Sequence, residues 1–551
     1  MESHARFKFN TIGQLQHKVN ELGLEIPFEN DLSTLFDSVK IGQQQLSNRF
    51  AVHPMEGFDA DVTGSPQDLA FRRYQRYAAG GSALIWFEAT AVVHAGRSNP
   101  NQFYIHPENV SVYKKLVAET RREARETVGT EPLLIVQLTH SGRYSKPDGI
   151  PTPIIAHHSP ILDPRHNLPP DYPLISDAAL DELQEKFLAA AELAFEAGFD
   201  GIDIKSCHRY LVSELLASFT RENSRYGDSF ENRTRFLRET LTKIHQRYPE
   251  KIITTRLNVF DAISHPYGFG VNEADYHIPN LAEPLKLVGL LKNIGISLLN
   301  VTIGNPYYNP HFGRPFDFPL RNLKVPEEHP LVGIDRFLKI TRQIQVAYPD
   351  LPVIGSGYTW LRHYLPYVAA AIVKAGGATL IGQGRGMFAY PDSVNELKAS
   401  GKMDPRKVCV TCSACTQIMR DGNHTGCVVR DSEIYGPVYR EIKKRAQDVL
   451  KADASRCRDC FYPTCQDACP AGVAIPDFIK AFAEGDIAGA YGHLVKRNLL
   501  PEICAYVCPS DVQCEGGCVE KIFSGQAIHI RNIQEAVAKA ARRQGLVKVH
   551  L

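Results

Sequence analysis

Ala378-Thr-Leu-Ile-Gly-Gln-Gly-Arg385 sets a short apolar run of β-forming residues against a small-residue turn that ends in an arginine. Pro352-Val-Ile-Gly-Ser-Gly357 does the same one unit earlier. Working outward, six more such runs precede them. They are Phe50-Ala-Val-His-Pro-Met55, Ser82-Ala-Leu-Ile-Trp-Phe-Glu88, Leu133-Leu-Ile-Val-Gln-Leu138, Gly201-Ile-Asp-Ile-Lys205, Ile252-Ile-Thr-Thr-Arg-Leu257 and Ser297-Leu-Leu-Asn-Val-Thr302. Amphipathic stretches separate them, as over 176–197, which opens on Ser176 and repeats apolar residues at Leu180, Leu183, Phe187 and Leu188. Period-2 runs alternating with period-3.6 stretches predict an α/β protein with a parallel sheet. Eight units in about 350 residues fit a (β/α)8 TIM barrel, with a doubly wound sheet as the competing topology.

Composition narrows the function classes. The chain has 551 residues, 44% hydrophobic and 22% charged, with a formal net charge of +1. That balance gives no general attraction for nucleic acid. No apolar run approaches the ~20 residues of a membrane span, and the start has no signal-peptide core, so a soluble, cytoplasmic protein is expected. Twelve of the thirteen cysteines lie beyond residue 408; the other is Cys207. Without a signal for an oxidising compartment, such crowding points to metal rather than to disulfides.

Cys409-x2-Cys412-x2-Cys415-x11-Cys427 brings three thiols within seven residues, a spacing suited to the corners of a [4Fe–4S] cube. A structural zinc ion, the alternative, more often takes two separated pairs. Cys457-x2-Cys460-x4-Cys465-x3-Cys469-Pro470 and Cys504-x3-Cys508-Pro509-x4-Cys514-x3-Cys518 supply eight further thiols, enough for two clusters. In Cys-Pro-terminated runs the last cysteine often serves the other cluster. Zinc-finger pairs are again the alternative.

Glycine turns after the last two strands are where barrels cradle a phosphate with backbone N–H groups. With them stand Asn48-Arg49-Phe-Ala-Val-His-Pro54-Met55, Gln137-Leu-x-His140-x-Gly-Arg143, Gly198-Phe-Asp-Gly-Ile-Asp203 and Asn223-x-Arg225-Tyr226-Gly227-x-Ser229-x-Glu231-Asn232-Arg233-x-Arg235-Phe236. From about Leu35 to Pro391 the set resembles the flavin barrel of the old yellow enzyme family, in particular the iron–sulfur branch that includes 2,4-dienoyl-CoA reductase and trimethylamine dehydrogenase.

The resemblance implies FMN across the barrel mouth. Pro54 and Met55 would flank its ring, Gln137 would bond its pyrimidine edge and Arg256 would sit near N1. Ser356, Gly357, Gly384 and Arg385 would hold its phosphate. It also implies that Tyr210 protonates the substrate carbon, while Lys205 and His208 donate to the substrate carbonyl. Lys205 departs from the histidine common in simple ene-reductases. It could favour an anionic substrate or pair with a carboxylate such as Glu88. The run 305–311, Asn-Pro-Tyr-Tyr-Asn-Pro-His, reads as a substrate lid or as an inert rigid loop.

The tail resembles the N-terminal iron–sulfur domain of the glutamate synthase small subunit and of dihydropyrimidine dehydrogenase. That likeness implies one cluster on Cys457, Cys460, Cys465 and Cys518, and another on Cys469, Cys508, Cys514 and Gln534, with Cys504 not a ligand. The expected organisation is an extension over 1–33 with no assigned function, a barrel over 34–400, a cluster segment over 401–435 and a helical two-cluster domain over 436–551. In the relatives an FAD- and NAD(P)H-binding region follows the tail. Here the chain ends at Leu551 without a Gly-x-Gly-x-x-Gly unit of that kind. FAD and NAD(P)H are therefore expected on a separate subunit, or a ferredoxin-like protein is the donor; homo-oligomerisation is left open. The expected function is reduction of an activated C=C bond in an α,β-unsaturated carbonyl compound, including enoyl-, dienoyl- or aryl-CoA, through FMN and three [4Fe–4S] clusters. Its rivals are a substrate dehydrogenase or demethylase running the chain in reverse, and an electron-relay subunit.

Overall fold

The computed structural model describes residues 4–320, 323 and 325–547, with backbone only at 445–447. Two compact units divide the chain, Met1–Gly436 and Pro437–Leu551.

The first unit holds eight parallel strands: β1 Phe50–Val52, β2 Leu84–Ala91, β3 Leu133–Thr139, β4 Gly201–Ile204, β5 Ile252–Asn258, β6 Leu298–Thr302, β7 Val353–Gly355 and β8 Leu380–Gln383. Each pairs with its sequence neighbours, and β8 closes on β1 through Ile381 and Phe50. The closed barrel rules out the doubly wound sheet. Every strand residue is buried, because one face meets the barrel interior and the other the surrounding helices. The helix Asp177–Glu196 starts where Ser176 accepts the N–H of Ala179 at 3.1 Å.

Two strands differ from the sequence reading for physical reasons. β1 stops at Val52 rather than reaching Met55, since Pro54 has no N–H to continue the ladder. β2 runs on to Ala91, with a register shift between Phe87 and Ala89. That irregularity turns the Glu88 carboxylate toward Arg73, Tyr74 and the Gly57 N–H (2.7 Å).

The interior is layered. Leu84, Trp86, Leu133, Ile135, Ile252, Leu298, Ile354 and Leu380 form an apolar floor. A hairpin of Val39–Ile41 and Gln44–Leu46 adds Ile41 and Leu46 to the same cluster. Above the floor lie polar side chains at the strands' C-terminal ends. Residues 4–33 join the barrel unit. The helix Ile12–Glu21, opened by a Thr11 capping box, buries Leu15 and Val19 with Trp360 and Leu361. Asp317 accepts from Phe7 N (3.1 Å) and Trp360 Nε1 (2.7 Å), fixing that segment. The stretch 223–236 is a structural buckle, in which Arg233 donates to Leu216 O (2.7 Å) and Asp228 O (3.0 Å).

The second unit is helical among its described residues. Ile475–Glu484, Ile487–Val495, Pro501–Val507 and Ile530–Arg543 surround a core of Phe478, Ile479, Phe482, Leu494, Ile533 and Val537, with Cys457, Cys465, Cys469, Cys514 and Cys518 packed at its edge. Among the described residues, no helix is long and apolar enough to cross a membrane.

Gly382 in β8 has no room for a side chain, since a Cβ there would stand 2.1 Å from His53 Nε2. Gly382→Ala is therefore expected to cost about 1–3 kcal/mol, read as a lower melting temperature. His53→Ala in the same background should restore part of the loss. An unchanged melt for the single variant would contradict this packing.

Candidate active site

The residues above the apolar floor are organised by Asp203. Its Oδ2 accepts from Gln137 Nε2 at 2.6 Å and Trp86 Nε1 at 3.0 Å, and its Oδ1 accepts from Arg256 N at 2.7 Å. Burial pushes this carboxyl up to about 6, against the lowering effect of those three donors. Because the Gln137 amide nitrogen faces Asp203, its oxygen is left as the acceptor. His53 is fixed similarly: Nδ1 meets Asn300 Nδ2 (3.3 Å) and Nε2 meets Ser356 Oγ (2.6 Å). Burial and the nearby Arg256 push His53 well below the ordinary imidazole value, so it is neutral. The Ser356 hydroxyl is thus turned to His53, which leaves its backbone for any phosphate contact.

The mouth carries an excess of unpaired cation. Arg256 Nε is buried without a partner, and among the described residues Arg256 has no ion pair. Arg385 donates through Nη2 to Pro315 O (3.0 Å), and its buried Nη1 has no partner. Arg314 donates to Thr416 Oγ1 (3.1 Å), while its Nε and Nη2 are buried without partners. Burial, Arg385 and Arg420 together push Arg314 down to about 9. Unsatisfied buried guanidinium N–H groups are costly, and an anion relieves the cost. Gly357 takes a left-handed φ of 95°, and Met55 crowds Gly384 so that a Cβ would meet its Sδ at 2.9 Å. Pro54 is buried beside them and Met55 half-buried. Glycine turns, orphaned arginine donors and a fixed amide acceptor fit FMN in kind: Gly357, Gly384 and Arg385 would hold its phosphate, and Gln137 and Arg256 its pyrimidine edge.

After β4, His208 and Arg209 take successive left-handed conformations, φ 63° and 60°. Such strain persists where surrounding contacts enforce it. Here Arg209 is buried against Asp261 Oδ2 (3.1 Å) and His157 Nε2 (2.9 Å). Enclosure, with Arg256 and Lys205 nearby, pushes His208 well below the ordinary imidazole value. Lys205 does not meet Glu88, which Arg73 holds; its Nζ lies 2.9 Å from Glu56 Oε1. Tyr210 is fully buried, and its hydroxyl lies 3.2 Å from Glu56 Oε1 and 3.1 Å from Tyr307 Oη. The 305–311 run is pinned rather than loose: Asn305 N donates to Asn309 Oδ1 (3.0 Å), and Asn309 Nδ2 to Ala262 O (2.7 Å).

Cys409, Cys412, Cys415 and Cys427 line one cavity, with Arg385 in its wall. Its loop is set by left-handed Thr411 and Ser413, and by N–H groups aimed at sulfur, Thr411 N at Cys409 Sγ (3.4 Å) and Arg430 N at Cys427 Sγ (3.3 Å). In the second unit Cys457, Cys460, Cys465 and Cys518 line one cavity. Cys469 neighbours both Cys508 and Cys514. Gln534 Nε2 donates to Pro501 O (2.8 Å), so of this amide only Oε1 could serve as a ligand. The Cys504 thiol points to Asn498 Oδ1 at 3.5 Å. Four thiols around each of these two spaces is the number that one [4Fe–4S] cube takes.

Comparison with known proteins adds the family. A model described as the NADH:flavin oxidoreductase / NADH oxidase family matches residues 34–403, more than half of the chain. The chain belongs to that family. Residues 437–546 match dihydropyrimidine dehydrogenase domain II, 4Fe-4S cluster. An NADPH dehydrogenase from Clostridium acetobutylicum is 30% identical over 277 residues, which cover 49% of this chain and 74% of that protein. One from Listeria monocytogenes is 29% identical over 276 residues, covering 50% and 74%.

Among solved structures, a 2-naphthoyl-CoA reductase in complex with 2-naphthoyl-CoA aligns with TM-score 0.57 and 20% identity, over 74% of this chain and 58% of that one. A histamine dehydrogenase from Rhizobium sp. 4-9 aligns with TM-score 0.55 and 20% identity, over 72% and 52%. The chain thus spans little more than half the length of these two, and the likeness is one of fold. It is an FMN-dependent oxidoreductase with an iron–sulfur domain.

Sequence reading did not single out Glu56, Asp203, His53, Arg314 or Arg420. Signals were available for three of them: His53 and Asp203 lie within the motifs quoted above, and Glu56 directly follows Pro54-Met55 at a strand end.

The tail assignment is open to a paired test. Cys518→Ser should lower iron by about four atoms per chain, whereas Cys504→Ser should leave it unchanged. The opposite pattern would reverse the ligand set.

Proposed function

We propose that this protein reduces the activated C=C bond of an α,β-unsaturated carbonyl compound, with Tyr210 as the proton donor. The observation that carries the reading is the Tyr210 hydroxyl, held at the barrel mouth between Glu56 and Tyr307. Burial, then Glu56, raises it well above the ordinary phenol value near 10. A phenol so raised stays protonated at neutral pH and is still acidic enough to protonate an enolate carbon. When bound, FMN supplies hydride to the β-carbon, and three [4Fe–4S] clusters supply its electrons singly from a separate NAD(P)H-flavoprotein or ferredoxin-like donor.

The chain's own residues orient and stabilise. Neutral His208 donates one ring N–H to the carbonyl oxygen as enolate charge develops. Lys205, already paired with Glu56, serves that oxygen through its positive field. Arg256, buried without a counter-ion, balances negative charge on the pyrimidine edge of the cofactor. The NADPH dehydrogenase names support redox chemistry, and the 2-naphthoyl-CoA ligand of one structural neighbour supports a carbonyl-activated, unsaturated substrate. A donor protein is supported by the second unit's surface, where Phe461 (88% exposed), Tyr462 (80%), Leu499 (88%) and Val512 (75%) stand close in sequence to the cluster cysteines. Large exposed apolar side chains in one small unit are a feature of association surfaces.

Tyr210→Phe separates the chemistry from electron supply. FMN reduction by dithionite should proceed normally, while product formation from an enone falls about 10²–10⁴-fold. Undiminished product formation would remove Tyr210 from the role.

A further inference from the structure

Tyr210 has no contact with solvent, yet a proton donor must be reloaded in every turnover. The side chains around it form one connected set. Glu56 Oε1 accepts from Lys205 Nζ at 2.9 Å and Tyr210 Oη at 3.2 Å, and Glu56 Oε2 accepts from Ser98 Oγ at 3.3 Å. A phenol has a single proton. With that proton directed at Glu56, the Tyr210 oxygen is the acceptor for the Tyr307 hydroxyl 3.1 Å away. Donors therefore run from Tyr307 to Tyr210 to Glu56. Tyr307 is half-buried and Tyr210 fully buried, which makes Tyr307 the more exposed end of the set.

We propose that Tyr307 reloads Tyr210 with a proton from solvent; Lys205 steadies the Tyr210 phenolate in the interval, and the Glu56 carboxylate, a like charge, drives its reprotonation. This rests on the ene-reductase reading and adds a second tyrosine to it. In the first step the Tyr210 O–H bond breaks as the C–H bond forms at the α-carbon, and the electron pair stays on the phenolate oxygen. In the second, the Tyr307 O–H bond breaks and the Tyr210 O–H bond re-forms. Water then returns a proton to Tyr307. The sum is one proton moved from water to carbon, with nothing oxidised or reduced at the tyrosines.

The geometry favours both halves. Lys205 Nζ lies 3.6 Å from the centroid of the Tyr210 ring, close enough to steady negative charge on that phenol, and Glu56 fixes Lys205 there. Burial raises both phenols above their ordinary value, so transfer between them is between groups shifted in the same direction. The Tyr307 hydroxyl is held in place: its ring stacks on Tyr144 at 4.2 Å, its N–H donates to Asn305 Oδ1 (2.9 Å), and Asn305 Nδ2 donates to Tyr144 Oη (3.1 Å). Arg420 caps the other side through Pro306 O.

Tyr307→Phe holoenzyme tests the relay. Dithionite-reduced wild type and variant are mixed anaerobically with 2-cyclohexen-1-one or cinnamoyl-CoA, and single turnovers are compared with steady state. Tyr210 enters the first turnover already loaded, so the variant should form about one product per flavin at close to the wild-type rate. Later turnovers should then slow ~10-fold or more, with a larger solvent deuterium effect than in wild type. Equal slowing of first and later turnovers would mean a packing role only and would overturn the relay, as would unchanged later turnovers.

Iron and flavin content of the variant checks folding. Should Tyr307→Phe lose either, Asn305→Ala takes its place: it keeps the hydroxyl but frees the loop, and it is held to the same split between first and later turnovers. Wild type reducing neither probe, with FMN normally reduced, would bring down the ene-reductase reading and the relay with it. Tyr210→Phe, which should lose the first turnover as well, tells the two failures apart.

Discussion

One buried carboxylate carries the architecture of the site. Asp203, on β4, takes an amide, an indole and a backbone N–H from three different strands. A charge so far from water is tolerated only where its lone pairs are filled, so the three donors and the carboxylate hold each other in position. The Gln137 oxygen is fixed as an acceptor, the backbone of β5 at Arg256 is locked to β4, and Trp86 ties this polar layer to the apolar floor. Cofactor recognition at the mouth thus depends on a contact made one layer beneath it.

Above that layer the charge balance is one-sided. Arg256, Arg314 and Arg385 each bury at least one N–H without a partner, and of these three and Lys205 only Lys205 is closely neutralised, by Glu56. A mouth of this kind suits a phosphate and a cofactor edge that becomes negative on reduction. Arg385 also lines the four-cysteine cavity, so the glycine turn after β8 and that cavity share a wall. Glu56 is the exception in this field, standing between Lys205 and Tyr210.

Much of this could be read in the sequence, because it follows from local pattern. All eight barrel strands stand where apolar runs alternate with amphipathic stretches, and the Ser176 cap begins the helix expected there. Cysteine spacing pointed to cluster sites, and the likeness to relatives placed Cys518 with Cys457, Cys460 and Cys465, the four that now surround one cavity. The partner of Lys205 was not legible. Glu56 lies 149 residues away in sequence, and Glu88 is diverted by a register shift that no local pattern reveals. The same holds for the anchoring of residues 4–33, where Phe7 and Trp360 meet through Asp317. Long-range pairings of this type depend on strand register and loop path, which periodicity does not encode.

The central claim is that one chain joins a flavin barrel to a series of iron–sulfur clusters. The most direct test is to purify the protein without oxygen and measure iron, acid-labile sulfide and released FMN per chain. The account predicts about 12 iron, a matching amount of sulfide and about one FMN. About four iron with FMN would leave the barrel chemistry standing but remove clusters from the second unit. A protein purified without FMN would contradict the account at its base.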